Sequence, residues 1–152
     1  MNIVFEKYNK KYLEKSWIWL NDSEIKKLTM TPDFTQENQK QWFNSLKEKK
    51  DYLIWGIMVD NVPVGVCGLK NITEEKAEYW GYIGEKKYWG KGIGKTMMNM
   101  TIDKAKELRL QKIYLKVLNN NYRAIKLYEY FGFKVTDNEN NILIMTFDLD
   151  NI

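Results

Sequence analysis

The chain contains no histidine, one cysteine and two prolines in 152 residues. Each shortage closes a route. Without histidine there is no Ser-His or Cys-His nucleophilic pair and little zinc chemistry, so no metal is expected. Acid–base work must fall to Glu, Asp, Tyr, Lys or water. The lone Cys67 forbids an intramolecular disulfide and leaves a zinc site without its usual thiolates. Arginine is scarce as well, with only Arg109 and Arg123. No apolar run approaches the roughly 18 residues that a membrane helix needs. Met1 to Lys7 has no basic leader followed by an apolar stretch. The expectation is a cytoplasmic protein with no membrane partner. Only Pro32 and Pro63 interrupt the chain, with no repeat or Pro/Gly-rich linker, so one domain over residues 1–152 is expected.

Apolar residues make up 44% of the chain, enough for a real core. The net charge of +4 is mild and spread along the sequence. It suits a polyanionic small ligand and does not call for nucleic acid. Periodicity predicts strands over 3–8, 52–59, 62–69, 77–83 and 112–117, a strand starting at 133–135, and a last one over 142–149. Helices are expected over 11–20, from Glu24, from a Thr35 cap to about Lys49, over 93–108 and over 121–131. Asp60-Asn61 marks a hairpin, and Thr136 to Asn141 reads as a polar turn. This mixed order predicts an α/β sandwich around a central mixed sheet.

The segment Trp89-Gly90-Lys91-Gly92-Ile93-Gly94-Lys95-Thr96 stands between a strand and a long helix. Its glycines let backbone N–H groups turn toward one point, and the helix start adds positive potential. That is a phosphate cradle. Gly94-Lys95-Thr96 also offers an NTP-binding P-loop as a further reading, a weak one because Trp89 occupies the first glycine position of G-x-x-x-x-G-K-[ST]. The segment is not a dinucleotide fingerprint, because Lys95 stands where the third glycine belongs. A second segment runs Asn121-Tyr122-Arg123-Ala124-Ile125-Lys126-Leu127-Tyr128-Glu129-Tyr130-Phe131-Gly132-Phe133. Ile125, Leu127, Tyr128 and Phe131 form an apolar helix face, and Gly132 permits a left-handed helix end.

Together these segments resemble the acetyl-CoA motifs of the GNAT N-acetyltransferases, [Q/R]-x-x-G-x-[G/A] and N-x-x-A-I-x-L-Y-x-x-x-G-F. The first departs at Trp89, where Gln or Arg is usual. The resemblance covers about residues 77–135. It implies the GNAT fold: a mixed, mostly antiparallel central sheet with a splayed parallel strand pair, flanked by helices. It implies acetyl-CoA as cosubstrate, with the pyrophosphate on the amides of Gly90, Lys91, Gly92, Ile93, Gly94 and Lys95. Thr96 would add a hydroxyl, and Asn121 would bond the CoA arm while capping its helix. Pantetheine would pair with backbone near Ile83, Gly84 and Glu85 like an added half-strand. Tyr128 would donate a hydrogen bond or proton to the departing CoA thiolate. Members are often dimers, so a homodimer stays open.

The attacking amine must lose a proton. Glu78, on the strand beside the cofactor, is the first candidate base, with Glu85 second. An exposed strand-edge carboxylate is the competing reading of Glu78, and ordered water can replace a single base. The acceptor is expected near the N-terminal helices and hairpins, where Trp17, Trp19, Trp42, Phe43, Trp55, Tyr79, Trp80 and Tyr82 stack on a ligand or simply build core. The stretch from Trp19 to Ile25 and on to Gln41-Trp42-Phe43 is similar to two GNAT groups. One acetylates nucleotide-linked amino sugars, the other ribosomal-protein N-termini. The amino-sugar group often has His three residues before the Trp-Phe pair, where this chain has Gln39. The expected function is acetyl transfer from acetyl-CoA to a small-molecule amine, with a nucleotide-linked amino sugar first. Peptide N-termini, polyamines, antibiotic amines and a non-catalytic CoA-binding module are the alternatives.

Overall fold

The computed structural model describes residues 1–149. The last three positions of the expected domain lie outside them. Strands are β1 (Ile3–Lys7), β2 (Leu53–Val59), β3 (Val62–Lys70), β4 (Lys76–Ile83), β5 (Lys112–Leu118), β6 (Lys134–Glu139) and β7 (Ile142–Asp148). Helices are α1 (Lys10–Leu20), α2 (Ser23–Leu28), α3 (Gln36–Ser45), α4 (Ile93–Glu107) and α5 (Tyr122–Phe131). All seven strands form one sheet in the order β1-β2-β3-β4-β5-β7-β6. Every pairing is antiparallel except β4 with β5.

Side chains alternate across this sheet. Cys67 and Leu69 on β3, Tyr79 on β4, and Ile113, Leu115 and Val117 on β5 pack with Met97, Met98 and Ile102 of α4. Val66 on β3 joins Tyr12 and Trp19 of α1 and Ile25 of α2 on the opposite face, with Trp80 and Tyr82 packed there from β4. Gly56 on β2 leaves room for the Tyr12 ring, which a Cβ there would strike.

The starts of α2 and α3 follow the sequence signals, and the structure adds a cap before α1. Asn9, Asp22 and Thr35 accept hydrogen bonds from the first-turn amides of α1, α2 and α3, and Thr35 with Asn38 forms a capping box. The expected helix to Lys49 is shorter: α3 ends at Ser45 and a 3₁₀ turn covers Leu46–Glu48. The expected polar turn from Thr136 is a strand as far as Glu139. Residues 134–139 form the sheet edge and are exposed throughout, so they need no apolar alternation. Only Asn140 and Asn141, both at positive φ, make the turn.

The parallel pairing is short. β4 and β5 match only at Lys76 with Lys112, Ala77 with Ile113 and Glu78 with Tyr114. Beyond Glu78 they part, because β4 runs on to Ile83 and β5 to Leu118 without further register. A wedge opens through the sheet from that vertex.

Candidate active site

A cleft of about 1540 Å³ passes along this wedge. One arm is lined by Gly90, Gly92, Ile93, Gly94 and Lys95 before α4, and by Asn121 to Ala124, Leu127, Tyr128 and Tyr130 on α5. The other reaches Tyr8, Ser16, Trp42, Tyr52, Trp80 and Tyr82 under α1 and α3.

The loop before α4 leaves a run of backbone donors open. Gly90 has φ +75° and Gly92 φ +84°, and a Cβ on either would meet only open space. Such left-handed positions favour glycine. Among the described residues the amides of Gly90 to Lys95 have no backbone acceptor, and the first turn bond is Thr96 N–H to the Gly92 carbonyl at 3.3 Å. Gly92 caps α4 without a side chain, so those donors stay open at the positive end of the helix. Gly94 lets α5 approach, its Cβ position lying 3.0 Å from Leu127 Cδ2.

Trp89 takes a structural part here. Its Nε1 donates to the Ile83 carbonyl at 2.8 Å and ties the loop to the end of β4. The Arg123 guanidinium lies 5.5 Å from the Trp89 ring centre, and Lys95 Nζ 4.2 Å from that of Tyr130. Sequence reading missed Arg123 and Tyr130, because nothing local marks a helix residue that folds over a distant ring. Lys91 and Thr96 do not line the cleft, and the Thr96 hydroxyl donates back to the Gly92 carbonyl at 3.4 Å.

The structure places Gly84 and Glu85, expected to pair with pantetheine, against β3. Both amides donate to the Val64 carbonyl, at 2.7 and 3.2 Å, and the Glu85 carboxylate accepts Trp19 Nε1 at 2.6 Å. Neither residue lines the cleft. In an antiparallel ladder alternate residues bond to the same neighbour. Gly84 bonding to β3 therefore turns the backbone groups of Gly81 and Ile83 toward the wedge, and the Ile83 carbonyl is held by Trp89.

Tyr128 reaches the wedge from α5. Its ring lies 6.3 Å from Tyr79 and 5.8 Å from Phe133. Burial pushes its phenol up to about 12, so it keeps its proton near neutrality. Glu78 is not the exposed edge carboxylate of the competing reading. It is 6% exposed, at the last paired register before the strands part. Asn71 Nδ2 donates to it at 3.3 Å and Lys70 Nζ stands 3.8 Å away. Asn121 caps α5 through the Ala124 amide at 3.4 Å while lining the cleft. Cys67 is buried on the α4 face, which pushes its thiol up to about 12 and leaves no thiolate for an acetyl-cysteine route. Among the described residues no three Cys, Asp or Glu side chains cluster to hold a metal.

Of the aromatics singled out in the sequence, Trp42, Trp80, Tyr82 and Tyr79 line the cleft. Trp17 packs on Phe34, Trp19 covers Gly84, and Phe43 and Trp55 pack against the two cores. Gln39 lines the cleft too, but its amide donates to the Leu13 carbonyl at 3.0 Å. Tyr8 and Tyr52 were missed: each stands at a strand end, where alternation says nothing of a cleft.

Residues 15–133 match the model of the Acetyltransferase (GNAT) family. The chain belongs to that family. Acetyltransferase PseH of Campylobacter jejuni is 25% identical over 136 residues, 89% of this chain and 85% of that protein. The spermine/spermidine N(1)-acetyltransferase of Bacillus subtilis is 43% identical over 51 residues, 33% of this chain and 34% of that protein. An uncharacterized protein of Methanocaldococcus jannaschii is 30% identical over 103 residues, 66% of this chain. The chain spans only 21% of that archaeal protein's length. Among solved structures, PseH in complex with acetyl coenzyme A superposes with TM-score 0.76 at 19% identity, covering 97% of this chain and 99% of that one. The Vibrio cholerae spermidine N-acetyltransferase with CoA and spermine gives TM-score 0.87 at 20% identity, covering 97% and 96%. These two likenesses are of fold. The GNAT domain described here is of the acetyl-CoA-dependent N-acetyltransferase kind, and its open amide cradle fits that cosubstrate.

Proposed function

We propose that this chain acetylates the primary amine of a nucleotide-linked amino sugar by direct attack in a ternary complex. The carrying observation is the lining of the arm beneath α1 and α3. Tyr8, Trp42, Tyr52, Trp80 and Tyr82 present rings there, and rings stack on sugars and bases. The carboxylates lining the cleft are Glu24 and Glu78, and each faces a lysine: Lys86 at 3.1 Å from Glu24, Lys70 at 3.8 Å from Glu78. A polyamine, with several ammonium groups, would meet no unpaired carboxylate among these residues. Polyamine acetylation is the second reading, favoured by the 51-residue likeness to the Bacillus enzyme.

Acetyl-CoA, when bound, supplies an acetyl thioester and a thiolate leaving group. The amides of Gly90 to Lys95 hold its pyrophosphate, and the backbone of Gly81 and Ile83 faces its pantetheine. Glu78, at the vertex, takes the proton of the acceptor ammonium directly or through water. Tyr128, still protonated at neutral pH, donates to the sulfur as the thiolate leaves.

The test is CoA thiol release from acetyl-CoA with nucleotide-linked amino sugars, spermidine, an aminoglycoside and a short peptide. The expected outcome is turnover with an amino sugar. Turnover with spermidine alone would replace this reading with the second one.

A further inference from the structure

At the floor of the acceptor arm three hydroxyls from three elements converge. Tyr8 follows β1, Ser16 lies on α1 and Tyr82 on β4, and all three line the cleft. The Tyr8 hydroxyl donates to Ser16 Oγ at 3.2 Å, and the Tyr82 hydroxyl donates to the same oxygen at 3.0 Å. Ser16 is 3% exposed. A serine hydroxyl has one proton to give and two lone pairs. Three hydroxyls share two hydrogen bonds, so one of their three protons is left without an acceptor inside the cluster. Among the described residues none of the three hydroxyls donates outside the cluster. A buried donor left unpaired is costly, and such sites are completed by water or ligand.

The cluster is also uncharged. Burial pushes the Tyr8 phenol up to about 12 and raises the Tyr82 phenol further, so both stay neutral across the physiological range. A neutral cluster with a spare O–H and spare phenol lone pairs suits a ligand hydroxyl, which accepts and donates. It gives no charge to a second ammonium.

We propose that the Tyr8–Ser16–Tyr82 cluster is a specificity site that recognises a neutral hydroxyl of the acceptor, with Ser16 at its centre. This rests on the amino-sugar reading and adds its selection device. Two ring amines probe it: glucosamine, which carries hydroxyls, and cyclohexylamine, the same six-membered ring size without them. Their binding to the CoA-loaded protein is followed by quenching of tryptophan fluorescence, and CoA release is measured alongside. Wild type should favour glucosamine, and Ser16→Ala should weaken glucosamine roughly tenfold while leaving cyclohexylamine unchanged. Ser16→Thr, which keeps the hydroxyl, should recover the preference. Equal losses for both amines would make Ser16 a mere prop for the two phenols and overturn the proposal. Equal wild-type affinities, or binding of neither amine, would overturn it as well. Preferred binding and turnover of spermidine would instead reject the amino-sugar reading itself. Melting temperature and CoA affinity of each variant separate these results from misfolding.

Discussion

Tyr128 and Cys67 show how burial sorts chemistry at single residues. Both are pushed up to about 12, yet the consequences differ. For the thiol, a retained proton removes a nucleophile. For the phenol, a retained proton is what a donor to a departing thiolate requires. Tyr128→Phe keeps the ring against Tyr79 and Phe133 and deletes only the hydroxyl. It is expected to lower kcat by roughly 10²–10⁴-fold. Acetyl-CoA affinity, measured by calorimetry, should change by no more than about twofold, because the lost contact acts in the transition state. An unchanged kcat would take Tyr128 out of the mechanism.

At the scale of elements, the cofactor arm is a joint between one loop and two helices. The loop before α4 turns at Gly90 and Gly92, Trp89 anchors it to β4, and Gly94 admits α5 against α4. Putting a β-branched residue at φ +84° is strained by about 1–2 kcal/mol and also fills the cradle. Gly92→Val is therefore expected to lose acetyl-CoA affinity by roughly tenfold or more while far-UV circular dichroism stays unchanged. Retained affinity would sink the assignment of these amides to the pyrophosphate. The edge strand β6 shows the opposite relation between sequence and element. Its polar run reads as loop, and it becomes strand because β7 offers it a ladder.

For the whole molecule, pH dependence follows from what is absent and what is buried. No histidine titrates, so melting temperature should be nearly flat between about pH 6 and 9. Tyr8 and Tyr128 are raised from the ordinary 10.0 to about 12, and Tyr52, Tyr79 and Tyr82 are raised as well, all chiefly by burial. Above pH 10 the unfolded chain releases these protons first, and the folded chain holds them. Cys67, raised from 9.0 to about 12, joins them earlier, so stability is intact below about 9 and falls as pH climbs toward 12. A melting series should show that alkaline limb. A melting temperature that stays flat up to pH 12 would mean that these phenols are not held in a dry interior.

The sequence by itself determined the order of elements, the caps at Asp22 and Thr35, and the loop–helix pair that carries the family motifs. These depend on contacts between residues a few positions apart, so local spacing records them. The glycine loop was legible for the same reason: left-handed turns before a helix demand glycine in place. Tertiary structure alone decided the rest. Glu78 reads as a solvated carboxylate in a charged run, and only the parallel β4–β5 register buries it at the vertex. Gly84 and Glu85 look open until the Val64 carbonyl claims them across the sheet. Tyr8, Ser16 and Tyr82 are separated by up to 66 positions between hydrogen-bonded partners, and no local pattern brings three hydroxyls together. Their meeting required α1 to close over β4, an arrangement set by the burial of Trp19, Tyr12 and Val66 between helix and sheet.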